Sequence, residues 1–424
     1  MTLAAWAWDT AAALLVPPPP APPERSRADR PLADLIGAIS AAHSGGAPGR
    51  WPSADGGLPL LEPAIALLAR GDDPHEREEL RRAADSLRRE LVGDTVTYVL
   101  NRNLNVSNHC SKHCSFCAFR RDPGEPGAYW LQRPEILRRA AEARALGATE
   151  LCVQGGLNAA ATRNGSRTAY AEQLLHDLAQ AAPGLHLHAF SPQELLFLAE
   201  GDGLPLAAVI GRLKAAGLAS VPGTAAEVLS ERVRRILCPE KLSARAWCAV
   251  ILEVQAAGLA STATLMAGHI EAPADRVAHL LTLLNLQLHA RRQGWPGFSE
   301  FVLLPFVGQA APAPLRQRVG RDQPELEAML LLTAQARLLL GAAVPNHQPS
   351  WVKLTLAGAT EALRWGCNDL GGTLMEEHIT TMAGARGGTC QSADTLAAAA
   401  RSLGRPVRQR TTLYGVPECR ERVA

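Results

Sequence analysis

From Thr95 onward the chain alternates between two hydrophobic rhythms. Short apolar or β-branched runs recur: "TVTYVLN", "TELCVQ", "LHLHAF", "LASVP", "TATLM", "FSEFVLLPF", "AVPNHQ" and "GCNDLGG". Such runs read as strands covered on both faces. Between most of them lie longer stretches such as "RPEILRRAAEARALGA", "AYAEQLLHDLAQAA" and "SARAWCAVILEVQAAG". There apolar residues return every three or four positions, the period of a helix with one buried stripe. Eight such units predict an α/β fold, a (β/α)8 barrel of the TIM type, for which about 250 residues is typical. In that fold functional groups gather where the strands end.

The pattern upstream differs. Residues 1–50 include "VPPPPAPPERSRADRPLADLIGAISAAHSGGAPGR", crowded with Pro, Gly and Ala, and are expected to form a loose, disordered arm. A chain starting near Trp51 is expected to fold and work normally. Residues 51–93 predict a helical prelude, two helices broken at Gly71 to Pro74, with acids opening the second and arginines closing it, as the helix dipole favours. Residues 94–424 then form the barrel and a C-terminal extension.

Composition narrows the function. With 424 residues, 47% apolar and 20% charged, the chain can bury a large core. Its net charge is +2, from 43 basic and 41 acidic residues, which leaves no footprint for nucleic acid or an anionic membrane. A small ligand is expected. Nine cysteines, an odd number in a long chain, fit a reducing cytoplasm better than a disulfide scaffold. The apolar start "LAAWAWDTAAALLV" carries Asp9, has no basic flank and is too short to span a bilayer.

Three of the cysteines stand out. "CSKHCSFC" places Cys110, Cys114 and Cys117 within eight residues, directly after the first strand. The polar neighbours Ser111, Lys112 and His113 argue against a buried core loop. A zinc site wants four ligands, and His109 or His113 could supply the fourth. An iron-sulfur cluster held by three thiolates is the other reading, and leaves one iron open for a ligand. Cys152, Cys238, Cys248 and Cys367 sit among apolar neighbours and read as core thiols.

The C-x3-C-x2-C spacing, with Phe116 before the last cysteine, resembles the signature of radical S-adenosylmethionine enzymes. That resemblance implies a 4Fe-4S cluster on Cys110, Cys114 and Cys117, with S-adenosyl-L-methionine on the open iron. It also implies cofactor contacts from Gln154, Gly155 and Gly156 after the second strand, and from Glu227. From Asp94 to the C-terminus the chain resembles one family within that class, CofH, the second subunit of FO synthase. The resemblance rests on "VTYVLNRNLNVSNHCSKHCSFCAFRR", "HLHAFSPQEL", "PGTAAEVL", "LCPEK", "TATLMAGHIE", "GFSEFVLLPF", "NHQPSWVKL", "CNDLGGTLMEEHI" and "AGARGG". It implies a transferase acting on L-tyrosine and 5-amino-6-(D-ribitylamino)uracil, a reducing electron donor, and a companion radical enzyme, CofG, that closes the deazaflavin ring. The synthase and cyclase of aminofutalosine metabolism share the architecture, and "HAFSPQE" with "PGTAAE" favours CofH over them.

Polar residues in or beside the strands supply the remaining candidates. His188, two after His186 in "LHLHAF", His269 in "GHIE" and Asp369 in "GCNDLGG" are candidate catalytic groups. Glu271, Asn346, Gln348 and Asn368 are candidate substrate contacts, with His347 and Lys353 close to the second of them in sequence. An unpaired polar atom in a barrel interior costs about 1–3 kcal/mol, which favours a ligand contact for such groups. "SPQE" and "TAAE" both match a capping box, which assigns Ser191, Glu194 and Thr224 to helix starts.

Overall fold

The computed structural model describes residues 2–20, 31–44 and 60–417. Its strands are β1 (Val96–Val99), β2 (Asn101–Leu104), β3 (Glu150–Val153), β4 (His186–Ala189), β5 (Leu218–Val221), β6 (Ala260–Ala267), β7 (Phe298–Pro305), β8 (His347–Pro349), β9 (Asp369–Gly372) and β10 (Val407–Arg410). β2 to β8 form one parallel sheet in chain order, and β1 lies between β9 and β10 in a second. Only Leu100 separates β1 from β2, so the predicted first strand is one run that changes partners midway. The backbone N–H of Asn368 donates to the His347 carbonyl at 3.1 Å, and that of Thr373 to the Val99 carbonyl at 3.1 Å. The curled sheet thus continues through β9 to the first strand, giving the eight-membered ring that the sequence rhythm predicts.

The helices form where periodicity and caps agree. Arg167–Ala181 and Ala244–Ala256 start at Ser166 and Ser243, whose hydroxyls accept from the N–H of Ala169 and Ala246. The second of them packs over β6, all eight residues of which are buried. In the prelude, helix Leu61–Leu68 precedes helix Pro74–Val92. Asp73 caps the latter and Pro74 occupies its first turn.

The stretch read as a loose arm contains two helices, Ala5–Leu14 and Leu32–Ser44. Ala7, Ala11 and Leu14 are buried, and their spacing of four and three makes one narrow stripe. Small side chains let that stripe approach the barrel closely, so low apolar volume did not mean low burial. Polar ties hold it: the Ala4 N–H donates to Glu253 at 2.8 Å, the Val16 N–H to Thr282 at 2.9 Å, and Asn285 donates to the Leu14 carbonyl at 3.0 Å. The Arg245 guanidinium lies over the Trp8 ring, 4.2 Å from its centroid. Residues 21–30 and 45–59, including Trp51, lie outside the described residues. So does Cys419.

The end of the ring where strands begin is closed by the chain's own C-terminal segment. β10 runs parallel to β1, from Val96 opposite Val407 to Val99 opposite Arg410. Arg410 there donates to Asp369 at 2.5 and 2.9 Å and to Glu300 at 3.1 Å. Thr97 also donates to Asp369, and Tyr414 to Glu300. Arg410 is 2% exposed and Asp369 0%. One stretch among the described residues, 326–343, is long and apolar enough to cross a membrane, and 72% of it is buried within the fold.

Two outcomes follow. Arg410→Met leaves the Asp369 carboxylate buried and unpaired, and is expected to lower stability by about 3–5 kcal/mol in a urea titration. Deleting residues 1–20 uncovers the face that receives Leu14. It is expected to cost at least the ~3 kcal/mol of a large core truncation in the same titration, whereas an unchanged midpoint would restore the loose-arm reading.

Candidate active site

At the opposite end, where the strands finish, a cavity of about 360 Å³ opens among the βα loops. Cys110, Cys114 and Cys117 line one wall, and Gln154, Gly155, Gly156 and Glu227 line others. The three thiols are free and half-buried.

The cysteine loop is fastened from three sides. The Cys110 N–H donates to the Arg121 carbonyl at 3.2 Å, the Ser111 N–H to the Leu157 carbonyl at 3.1 Å, and the Ser115 N–H to the Leu237 carbonyl at 2.9 Å. Burial pushes the Cys114 thiol up to about 12, with the Lys241 ammonium pulling the other way. A thiol so placed ionises when a metal cation compensates it. His113 is turned to Glu240, 3.4 Å from its carboxylate. Three separate thiols on one wall suit a larger polynuclear group with an open corner.

Gly155 and Gly156 meet the cysteine loop itself. The Gly156 N–H donates to the Ser107 carbonyl at 2.7 Å. A Cβ on Gly156 would lie 2.1 Å from the His109 carbonyl oxygen, and one on Gly155 3.0 Å from that of Ser107. The glycines are therefore required by a backbone crossing, and the cavity receives their exposed edge. Glu194 secures this turn by accepting from the Gly155 N–H at 3.0 Å while it caps its own helix at Ser191. Gln154 reaches across to the Thr224 hydroxyl at 2.8 Å.

"TAAE" does not open a helix as expected. Ala225 and Glu227 adopt φ of 65° and 46°, a strained turn of the kind that gathers at functional sites. The Glu227 carboxylate is held by Lys241 at 2.7 Å. Although burial opposes its ionisation, Lys241 keeps it below the usual carboxylate range. The Lys241 ammonium also lies 5.3 Å from the centroid of the Phe116 ring. Sequence reasoning passed over Lys241, which follows the short helix Glu231–Leu237 in an irregular stretch with no periodicity to mark it. Its one signal was its place in "LCPEK".

Of the other candidates Lys353 also lines this cavity, whereas His188, His269, Glu271, Asn346, Gln348, Asn368 and Asp369 do not. His188 pairs with Ser220 at 2.6 Å, and burial pushes it down to about 4 against the pull of Glu150. His269 and Glu271 form a loop lock beyond β6: Glu271 accepts from the N–H of Gly268 and His269 and from Arg276, and His269 contacts the Met266 carbonyl. His269 does not line the cavity itself but abuts two residues that do, Met266 and the edge of Phe306. Asn346 and Asn368 bond each other at 3.1 Å, and Asn368 also accepts from Arg337 and the His347 N–H. Gln348 and Asp369 face Arg410 in the closed floor. His269 and Glu271 thus lie past a strand's end but are turned into their own loop, whereas the others precede, begin or sit within strands, below the mouth.

Residues 104–284 match the family model of the Radical SAM superfamily, which defines the class. In fold, the chain resembles the crystal structure of methylornithine synthase at a TM-score of 0.62, 14% identical, over 82% of this chain and 93% of that one. It likewise resembles the FeFe-hydrogenase maturase HydG from Carboxydothermus hydrogenoformans at 0.61 and 14%, over 92% of this chain and 82% of that one. A curated protein from Cyanothece sp., named 5-amino-6-(D-ribitylamino)uracil--L-tyrosine 4-hydroxyphenyl transferase, is 57% identical over 84% of this chain and 93% of its own length. One of the same name from Gloeobacter violaceus is 56% identical over 84% of this chain and 91% of its own. The chain belongs to this family of transferases.

The backbone crossing makes a graded prediction. Gly156→Ala is expected to displace residues 107–111, raising amide exchange there and the rate at which Cys110 is alkylated. Gly155→Ala, with its looser approach, is expected to change both far less. Equal behaviour of the two variants would show that the turn yields freely.

Proposed function

We infer that this chain catalyses the reaction for which its relatives are named. In it the 4-hydroxybenzyl group of L-tyrosine is joined to 5-amino-6-(D-ribitylamino)uracil, with release of 2-iminoacetate, L-methionine and 5′-deoxyadenosine. The single observation that carries this reading is 57% identity over nearly the whole of a relative so named, in a chain whose three spaced thiols share a cavity. The reaction is the CofH step of deazaflavin FO synthesis, and CofG is the companion enzyme for ring closure. A cytoplasmic location and a reducing electron donor complete the reading.

The residues present fit a 4Fe-4S cluster: three thiols line one wall, and Lys241 beside Cys114 favours thiolate. Cys110, Cys114 and Cys117 would hold it, and with S-adenosyl-L-methionine bound it supplies a 5′-deoxyadenosyl radical. Gln154, Gly155, Gly156 and Glu227 offer polar edges to that cofactor. Met266, Leu304, Phe306 and Val307 give the cavity apolar walls that exclude water from a reactive intermediate. Asn103, Thr264 and Ser350 are polar side chains on the same lining, available to a pyrimidine or a polyol. Glu271, Asn346, Gln348 and Asn368 hold the fold in this reading and touch neither substrate.

The test is anaerobic reconstitution with iron and sulfide, followed by product identification with both substrates. The wild type is expected to release one tyrosine-derived adduct with 5′-deoxyadenosine. Replacing Cys110, Cys114 or Cys117 with Ala is expected to abolish both products and lower bound iron. A colourless protein with stoichiometric zinc would overturn the cluster. Cleavage of S-adenosylmethionine without any adduct would overturn the substrates.

A further inference from the structure

Among the charged side chains lining the inner cavity, one ammonium has no bonded partner. Glu227 is taken by Lys241. Glu194 is taken by Ser191 and the Gly155 N–H. Glu377 accepts from the N–H groups of Thr380 and Thr381 and from the Thr381 hydroxyl, at 2.7, 3.0 and 2.7 Å. Arg120 pairs with Asp122 and Glu125 at the mouth, where Lys112 lies near Glu240. Lys353 lines the same cavity. Among the described residues no hydrogen bond or ion pair to its ammonium is found, while its backbone N–H donates to the Ser350 carbonyl at 3.1 Å.

The backbone that carries the amine is held in place. It stands on the turn after β8, which is pinned on two sides. The Trp351 indole donates to the Gly372 carbonyl at 2.9 Å, and the Gly387 N–H to the Val352 carbonyl at 3.0 Å. Gly387 crosses so closely that a Cβ there would lie 2.1 Å from the Trp351 carbonyl oxygen. Two residues on, Thr355 breaks the helical geometry with φ of 65°. Burial pushes the Lys353 ammonium down to about 8, and the carboxylates of Glu377 and Glu227 pull it back up without bonding it. A cation lining a cavity from a fixed backbone, with no bonded anion, is a binding site for one.

We propose that Lys353 binds an amino-acid carboxylate within the cavity, that of L-tyrosine, in the reaction inferred above, on which this proposal rests. The same chemistry is carried by the methionyl carboxylate of S-adenosylmethionine. The position favours tyrosine: Lys353 follows β8, whereas the Gly155–Gly156 turn and Glu227 follow β3 and β5. The apolar Leu304, Phe306 and Val352 line the cavity beside it, a wall suited to an aromatic ring. Lys353 is thus a specificity residue, selecting an amino acid over the corresponding amine.

The test is equilibrium binding to the anaerobically reconstituted holoenzyme of three probes: tyrosine, tyramine, which lacks the carboxylate, and S-adenosylmethionine. Lys353→Met is expected to weaken tyrosine about 10- to 100-fold, the effect of losing one charge-assisted hydrogen bond. Tyramine, S-adenosylmethionine, iron content and thermal midpoint are expected to hold. Lys353→Arg, which keeps the charge, is expected to recover part of the tyrosine affinity and so to separate charge from packing. Equal tyrosine affinity in wild type and Lys353→Met, or equal losses for tyrosine and tyramine, overturns the proposal. A loss confined to S-adenosylmethionine also overturns it, by moving the carboxylate to that ligand. Wild type that binds no tyrosine counts against the inferred reaction instead.

Discussion

The cysteine loop lies on the glycine turn backbone against backbone, and the rest of the site depends on that contact. Gly156 has no room for a side chain because the His109 carbonyl occupies it. The loops after β2 and β3 therefore move as one body. Glu194 extends the body to the segment after β4 through Gly155, and Gln154 extends it to Thr224 after β5. Four consecutive strand ends are linked in this way. Groups so linked need little reorganisation when a ligand arrives, which is the source of most electrostatic catalysis.

The cavity wall carries costs that its partners offset. Glu227 and Ala225 sit at positive φ, and each such residue stores roughly 1–3 kcal/mol. The Glu227 carboxylate and the Lys241 ammonium are both withdrawn from bulk water, and each keeps its charge because the other lies 2.7 Å away. Phe190, at φ of 59°, adds strain immediately before the Ser191 cap. These strained positions all follow strands, at the open end. The floor, by contrast, is built of ladder pairing and paired charges.

Much of the barrel was legible because its signals are local. Alternating periods marked strands and helices, and serines marked helix starts. The cysteine spacing and the glycine pair after β3 likewise declared themselves within a few residues. What was not legible required knowing which end of a strand a polar residue occupies. Asn368 and Asp369 were read as ligand contacts at the eighth strand, but Asp369 begins β9 and Asn368 precedes it. A shift of two or three residues carries such a group from the mouth of the ring to its floor, some 3.3 Å per residue. Ala7 and Ala11 misled in another way: their spacing was helical, while their small volume suggested nothing to bury.

The floor shows why so many polar residues in strands were available to mislead. A barrel must be closed where its strands begin, and here the closing segment arrives from the distant C-terminus. An apolar plug would fill the space without setting its own register. The planar guanidinium of Arg410 instead forks between Asp369 of β9 and Glu300 of β7, with Gln348 of β8 at 3.5 Å, so one side chain fixes three neighbouring strands relative to β10. Those acceptors must be polar whether or not they meet a substrate. Burying them is tolerable only because Arg410 is present, and the cavity above is left free to hold charges chosen for chemistry.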